Sequence, residues 1–325
     1  MFGLNGHPSE KVGGADPRPF SLCRPGALRY SLLSVGTVKV EGGWRNLMPS
    51  PDGWHSQPVL MEDAMILENQ VKKSLKAGGV VLGTMLTHLR QPAVAIAMKN
   101  AGWDYVFLDA EHGSFTPPEL LDFCIAARGV NLPTIVRVPN SREAQRMYQT
   151  LDLGATGLLC PQTETKEQVE FIIHSTKYFP MGQRGMSLRN NHTSWGKYKG
   201  SELTPKLNQE TMIVLQIESK LGVDNLEPML DVPGVDAVFI GPNDMSQTLG
   251  IPGDIGHPEV AKRVDRVLEL CQKKNIPCGV HTYDNDTAKK WIGRGCRFMC
   301  LGGDMAWLQD AMQAAYTTVM GDVKK

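Results

Sequence analysis

The chain lacks a net charge: 34 lysines and arginines meet 34 aspartates and glutamates over 325 residues. No basic stripe interleaved with aromatics disturbs that balance, which argues against a nucleic-acid partner and for a small-molecule one. It also lacks an uninterrupted apolar run of 18 residues, so no transmembrane helix is expected. Seven cysteines include no C-x-x-C pair and no Cys/His spacing suited to zinc, which excludes a dithiol motif and a zinc cage. Their odd number and their placement in apolar runs point to reduced, buried thiols. The first residues have no apolar core of a secretory signal, and Glu10 and Asp16 interrupt any presequence pattern. A cytoplasmic protein is expected.

What remains is ordinary for a globular protein with a full core, at 42% apolar and 21% charged residues. Residues 1–60 are rich in Gly, Pro and Ser and show no sustained periodicity, so an irregular or partly disordered extension is expected there. A regular domain over 61–325 follows, opening with an amphipathic helix in EDAMILENQVKKSLKAGG that Gly78-Gly79 ends. Eight apolar runs then alternate with helical stretches: VVLGTML, YVFLDA, PTIVRV, GLLC, MIVLQIE, AVFIGP, PCGVH and FMCLG. Continuous apolar strands separated by helices form a parallel sheet covered on both faces. Eight of them predict an α/β fold, a closed (β/α)8 TIM barrel. A long polar insertion, 178–210, breaks the rhythm between the fourth and fifth runs, as active-site loops often do.

Active sites of such barrels lie at the carboxyl ends of the strands. The second run ends on Asp109, Glu111 and His112, the third carries Arg137, the fifth ends Gln216-Ile-Glu218, and the sixth leads into Gly241-Pro242-Asn243-Asp244. Singly, Glu218 and Asp244 read equally well as helix-capping acids, and His112 as a loop residue. A guanidinium in an apolar strand needs an anion. Coincidence at four strand tips favours a site. Two carboxylates suit a hard cation, Mg2+ or Mn2+. Backbone amides near the Gly241-Pro242 turn can receive a substrate carboxylate, and Arg137 can stabilise a developing enolate oxygen. No lysine lies in any of the strands, the nearest being Lys220, which argues against a Schiff base.

In this order, DAEH, IVRVP, LQIES and FIGPNDMS resemble the class II pyruvate aldolase family, which includes 4-hydroxy-2-oxoheptanedioate and 2-dehydro-3-deoxyglucarate aldolases. The similarity spans about residues 70–320, and GQRG at 182–185 also resembles a family motif. The resemblance implies a divalent-metal aldolase that cleaves a 4-hydroxy-2-oxo acid to pyruvate and an aldehyde. Glu218 and Asp244 would hold the cation and Arg137 would contact the keto or enolate oxygen. His112, paired with Asp109, would move the aldol proton through a metal-bound water. Gln216, Gly241, Pro242 and Asn243 would line the pyruvate pocket. Asp152 resembles an acid that relatives present across a subunit interface, and Glu111 has no assigned role. A homo-oligomer is implied, commonly a hexamer, with the last helix exchanged between subunits. The alternative is an oxaloacetate decarboxylase or an enzyme like macrophomate synthase, a related member that traps the same enolate. The loop NNHTSWGKYKG, with His192, Trp195 and Tyr198, is where these readings part.

Overall fold

Each of the eight apolar runs forms one strand of a parallel, closed barrel. They are β1 (Val81–Leu86), β2 (Tyr105–Asp109), β3 (Thr134–Arg137), β4 (Gly157–Cys160), β5 (Met212–Ile217), β6 (Ala237–Ile240), β7 (Cys278–Thr282) and β8 (Phe298–Gly303). Each strand pairs with its neighbour in sequence, and β8 closes on β1. This computed structural model describes residues 66–323, together with the backbone of two short antiparallel strands, Val38–Val40 and Gly43–Arg45. Apart from those strands, the extension expected over 1–60 lies outside the described residues.

Period-two alternation divides the strand side chains into two cores. Residues such as Val106, Leu108, Val136, Leu158, Ile213 and Val238 face the surrounding helices. Tyr105, Phe107, Ile135, Leu159, Val214, Phe239, Phe298 and Cys300 face inward and fill the barrel. Their rings interlock, with Tyr105 stacked on Phe298 at 4.9 Å and Phe107 edge-on to Phe239 at 5.1 Å. Gly83 gives Tyr105 its room: a Cβ on Gly83 would stand 2.4 Å from the tyrosine ring.

Helix starts follow local chemistry. In α5 (Lys166–Thr176) Thr165 and Gln168 exchange side-chain and backbone bonds at 3.3 and 3.2 Å, a capping box. The helix α1 (Gln70–Lys76) is shorter than its sequence pattern. Asn69 caps it, its side chain accepting from the Lys72 amide at 3.1 Å while its Nδ2 donates to the Thr156 and Glu210 carbonyls. Val71 and Leu75 then join the barrel interior, so α1 closes the amino end.

The insertion 178–210 sits at that same amino end. Loops that follow strands gather at the carboxyl end, but this one follows α5, which has already carried the chain back. Its last part is helix α6 (Gly200–Glu210). His192 is buried, and Asn191 donates to the Leu153 carbonyl at 2.7 Å. The expectation of an active-site loop is therefore corrected within one chain. The six cysteines among the described residues are free and buried, as expected. No helix among these residues is long and apolar enough to cross a membrane.

Candidate active site at the carboxyl ends of the strands

Continuing the inward-facing rows one step above the aromatic layer replaces carbon with charge. Asp109 and Arg137 are register partners on β2 and β3, and both point inward. Asp109 is fully buried and accepts from Arg137 Nε at 2.9 Å and Nη2 at 2.6 Å, a bidentate pair. It also accepts the backbone amides of Glu111 and His112 at 3.1 and 3.2 Å, which fixes the turn after β2. Asp109 is thus the counter-ion of Arg137. The expected pairing of Asp109 with the His112 imidazole does not form, because the guanidinium and the turn amides occupy the carboxylate. The imidazole is exposed and lies nearest Glu111, with Nε2 3.8 Å from Oε2. Glu111 also stands 3.4 Å from Arg137 Nε.

On β5 the inward row continues through Gln216 to Glu218, one residue past the strand. Glu218 is buried, accepts the Gln162 amide at 2.7 Å, and receives the Gln216 side-chain N–H. Gln162 holds that amide in place with a left-handed φ of 50°, costly for a side-chain-bearing residue away from a functional need. Gly241 leaves room for the glutamate, since a Cβ there would stand 2.7 Å from Glu218 Oε2. Burial, with the negative charges of Asp244 and Glu111 adding to it, pushes the Glu218 carboxyl up to about 7 against the lowering effect of the Gln162 amide. Burial likewise raises Glu111, opposed by Arg137 and His112. Asp244 occupies the first turn of α9 (Pro242–Thr248).

Glu111, His112, Glu218 and Asp244 line one cavity of about 250 Å³ with Gln162 and Glu164. A larger groove of about 800 Å³ runs outside the barrel along α10 (Pro258–Lys273), but its charges answer one another, as in Arg263–Asp224 and Arg266–Glu269. The chemistry belongs to the smaller space. Its donor set fits a hard divalent ion: carboxylates repel one another across it, and the buried Gln216 Oε1 has no hydrogen-bond partner. No cage of three or more His, Cys, Asp or Glu ligands exists among the described residues. Two carboxylates with open positions for substrate and water are the pattern of Mg2+ sites.

Two of the expected pocket residues contribute shape instead of amides. The Gly241 N–H already donates to the Ile217 carbonyl at 3.0 Å, and Pro242 has none. Asn243 and Asp244 keep first-turn amides without intrahelical acceptors. Asp152 stands apart, at the end of α4 (Ala144–Asp152) on the amino side, where it binds Arg184 at 2.5 Å and approaches His192 at 3.8 Å. Sequence reasoning missed Gln162 and Glu164, whose signals are backbone strain and loop folding. It also missed His281, which the alternation of PCGVH places on the inward row.

A closed parallel barrel with an acidic cavity at its carboxyl end, Arg137 beside it, is the arrangement of a TIM-barrel enzyme. The comparisons agree. Residues 84–311 match the family model described as HpcH/HpaI aldolase/citrate lyase. The 5-keto-4-deoxy-D-glucarate aldolase of Klebsiella pneumoniae is 32% identical over 77% of this chain and 96% of its own. The 2-keto-3-deoxy-L-rhamnonate aldolase of Escherichia coli is 31% identical over 76% of this chain and 91% of its own. The crystal structure of an HpcH/HpaI aldolase from Desulfitobacterium hafniense superposes with a TM-score of 0.73 at 30% identity, covering 77% of this chain and 96% of that one. The chain belongs to the HpcH/HpaI aldolase/citrate lyase family, and it is an aldolase, a carbon–carbon lyase.

Proposed function

We propose that the chain cleaves a 4-hydroxy-2-oxo acid, of the keto-deoxy sugar acid kind named for its relatives, to pyruvate and an aldehyde, with Mg2+ or Mn2+ as cofactor. One observation carries this reading: Glu111, Glu218 and Asp244 share a cavity in which no ion pair engages Glu218 or Asp244 among the described residues, while Arg137 beside it is held by Asp109. Glu218 and Asp244 would hold the divalent ion. When bound, it would supply positive charge to stabilise the pyruvate enolate.

The rest falls to the chain's own residues. Arg137, fixed by Asp109, donates to the keto oxygen as negative charge builds on it. Gln216 and the Asn243 and Asp244 amides orient the pyruvate half. His112, at the mouth beside Glu111, takes the proton of the C4 hydroxyl. The C3–C4 bond then breaks, its electron pair enters the enolate, the aldehyde leaves, and protonation at C3 gives pyruvate. Exposed Met305, Trp307, Leu308 and Met312 on α12 (Asp304–Val323) support a homo-oligomer in which the helix is covered by another subunit. Six free thiols support a cytoplasmic setting.

Pyruvate release coupled to lactate dehydrogenase tests the reading, with 4-hydroxy-2-oxo acids and oxaloacetate side by side, in Mg2+ or Mn2+ and then in EDTA. Chelator-sensitive turnover of the hydroxy-oxo acids is expected. Turnover of oxaloacetate alone would assign the chain to decarboxylation instead.

A further inference from the structure

β7 plays no part in the chemistry above, yet its last inward-facing residue is a histidine. Cys278 and Val280 face the helices and belong to the outer core, so Gly279 and His281 face inward. His281 is the register partner of Cys300, whose side chain lies in the barrel interior. Two residues below it, Gly279 pairs with Phe239 of the aromatic layer. The imidazole therefore stands at the level of Asp109 and Arg137, and the charges of both act on it.

The ring is held in one state. Nε2 lies 2.6 Å from the Gly302 carbonyl oxygen, an acceptor, so Nε2 carries the hydrogen. Tyr283 covers the ring with centroids 4.7 Å apart. Burial, aided by Arg137 and opposed by the Gly302 bond and Asp109, lowers the imidazole from its ordinary value. In the tautomer that this bond sets, Nδ1 is an acceptor, and no hydrogen bond from the described residues engages it.

An acceptor needs a donor, and the pyruvate half of the substrate has none: its carboxylate and keto oxygens only accept. Hydroxyl donors lie on the aldehyde half alone. Resting on the aldolase reading, we infer that His281 Nδ1 accepts a hydrogen bond from a hydroxyl of the aldehyde half, so that the enzyme selects hydroxyaldehydes over alkyl aldehydes. An acceptor that sheds its water when the substrate binds disfavours the analogue that cannot replace that hydrogen bond.

The test is condensation of pyruvate with glycolaldehyde or propanal under Mg2+, using the full chain, with hydrogen–deuterium exchange at pyruvate C3 as a separate readout of the enolate site. The wild type favours glycolaldehyde. His281→Leu lowers the glycolaldehyde-to-propanal ratio of kcat/KM about tenfold, the scale of one hydrogen bond to an otherwise unpaired group. His281→Gln, which keeps an acceptor, restores part of the ratio. A purely structural role would lower both aldehydes alike and leave the ratio unchanged, which would overturn the assignment. C3 exchange in a wild type indifferent to the hydroxyl would sink the inference and spare the aldolase reading. Absence of exchange would remove both.

Discussion

At the amino end of the barrel, Lys72 of α1 binds Asp236 at 2.8 Å, and Lys177 donates to the Asn208 and Thr211 carbonyls at 2.8 and 2.6 Å. Arg184 binds Asp152. At the carboxyl end, Glu218, Glu111 and Asp244 line one open cavity; Arg137 is held by Asp109 and reaches Glu111 at 3.4 Å, and no ion pair engages Glu218 or Asp244 among the described residues. Both ends place charge out of water, but one is closed by α1 and answers its cations with anions or carbonyls. The other leaves Glu218 and Asp244 to repel each other without a paired cation among the described residues. Uncompensated repulsion is tolerated where an incoming cation relieves it, so the contrast separates the end that keeps the fold together from the end that works. The amino end has its own loose groups: both ring nitrogens of His192 lack partners, and burial, with Arg184 adding to it, pushes that imidazole down to about 3.

Substitutions at each end should break the two properties apart. Arg137→Met is expected to do the greatest damage, because it strands a fully buried Asp109 and removes the donor for the keto oxygen. Stability should fall by about 3–5 kcal/mol, read by urea unfolding, with turnover below detection. Asp236→Asn should cost less, about 2–3 kcal/mol, by leaving Lys72 without its counter-ion. Its kcat should stay within about twofold of wild type; a large fall in kcat with unchanged stability would erase the distinction between the ends.

Smallest, taken per pH unit, is the effect of Lys177→Met. Burial pushes this ammonium down to about 7 from an ordinary value of 10.5. Between those values the unfolded chain binds a proton that the folded chain does not, so Lys177 makes stability rise with pH across that window. Its contribution is at most about 1.4 kcal/mol per pH unit. Urea midpoints from pH 7 to 9.5 should show a shallower rise in the variant; identical slopes would mean that Lys177 stays charged.

How much of this was legible in the sequence follows from the range of each interaction. The eight strands were, because runs such as YVFL and MIVLQI announce themselves without knowledge of their neighbours. The acids of the site were legible too, since Asp109, Glu218 and Asp244 fall at the ends of those runs. Their partners were not. That Asp109 belongs to Arg137 rather than to His112 depends on the register of β2 against β3. The Lys72–Asp236 bond joins residues 164 positions apart by closing the barrel. The insertion 178–210 was misplaced because its polar composition says nothing about which end of the barrel α5 has reached. His281 was missed for a simpler reason: the alternation that reveals it was not carried to the last residue of PCGVH.

The central claim is that the carboxyl-end acids form a cation site, and titration of Mn2+ into the metal-free chain by calorimetry, with pyruvate present, tests it most directly. One ion per chain should bind to the wild type and to Asp236→Asn, and binding should be lost in Glu218→Gln. No binding to the wild type, or binding that survives both Glu218→Gln and Asp244→Asn, would contradict the account.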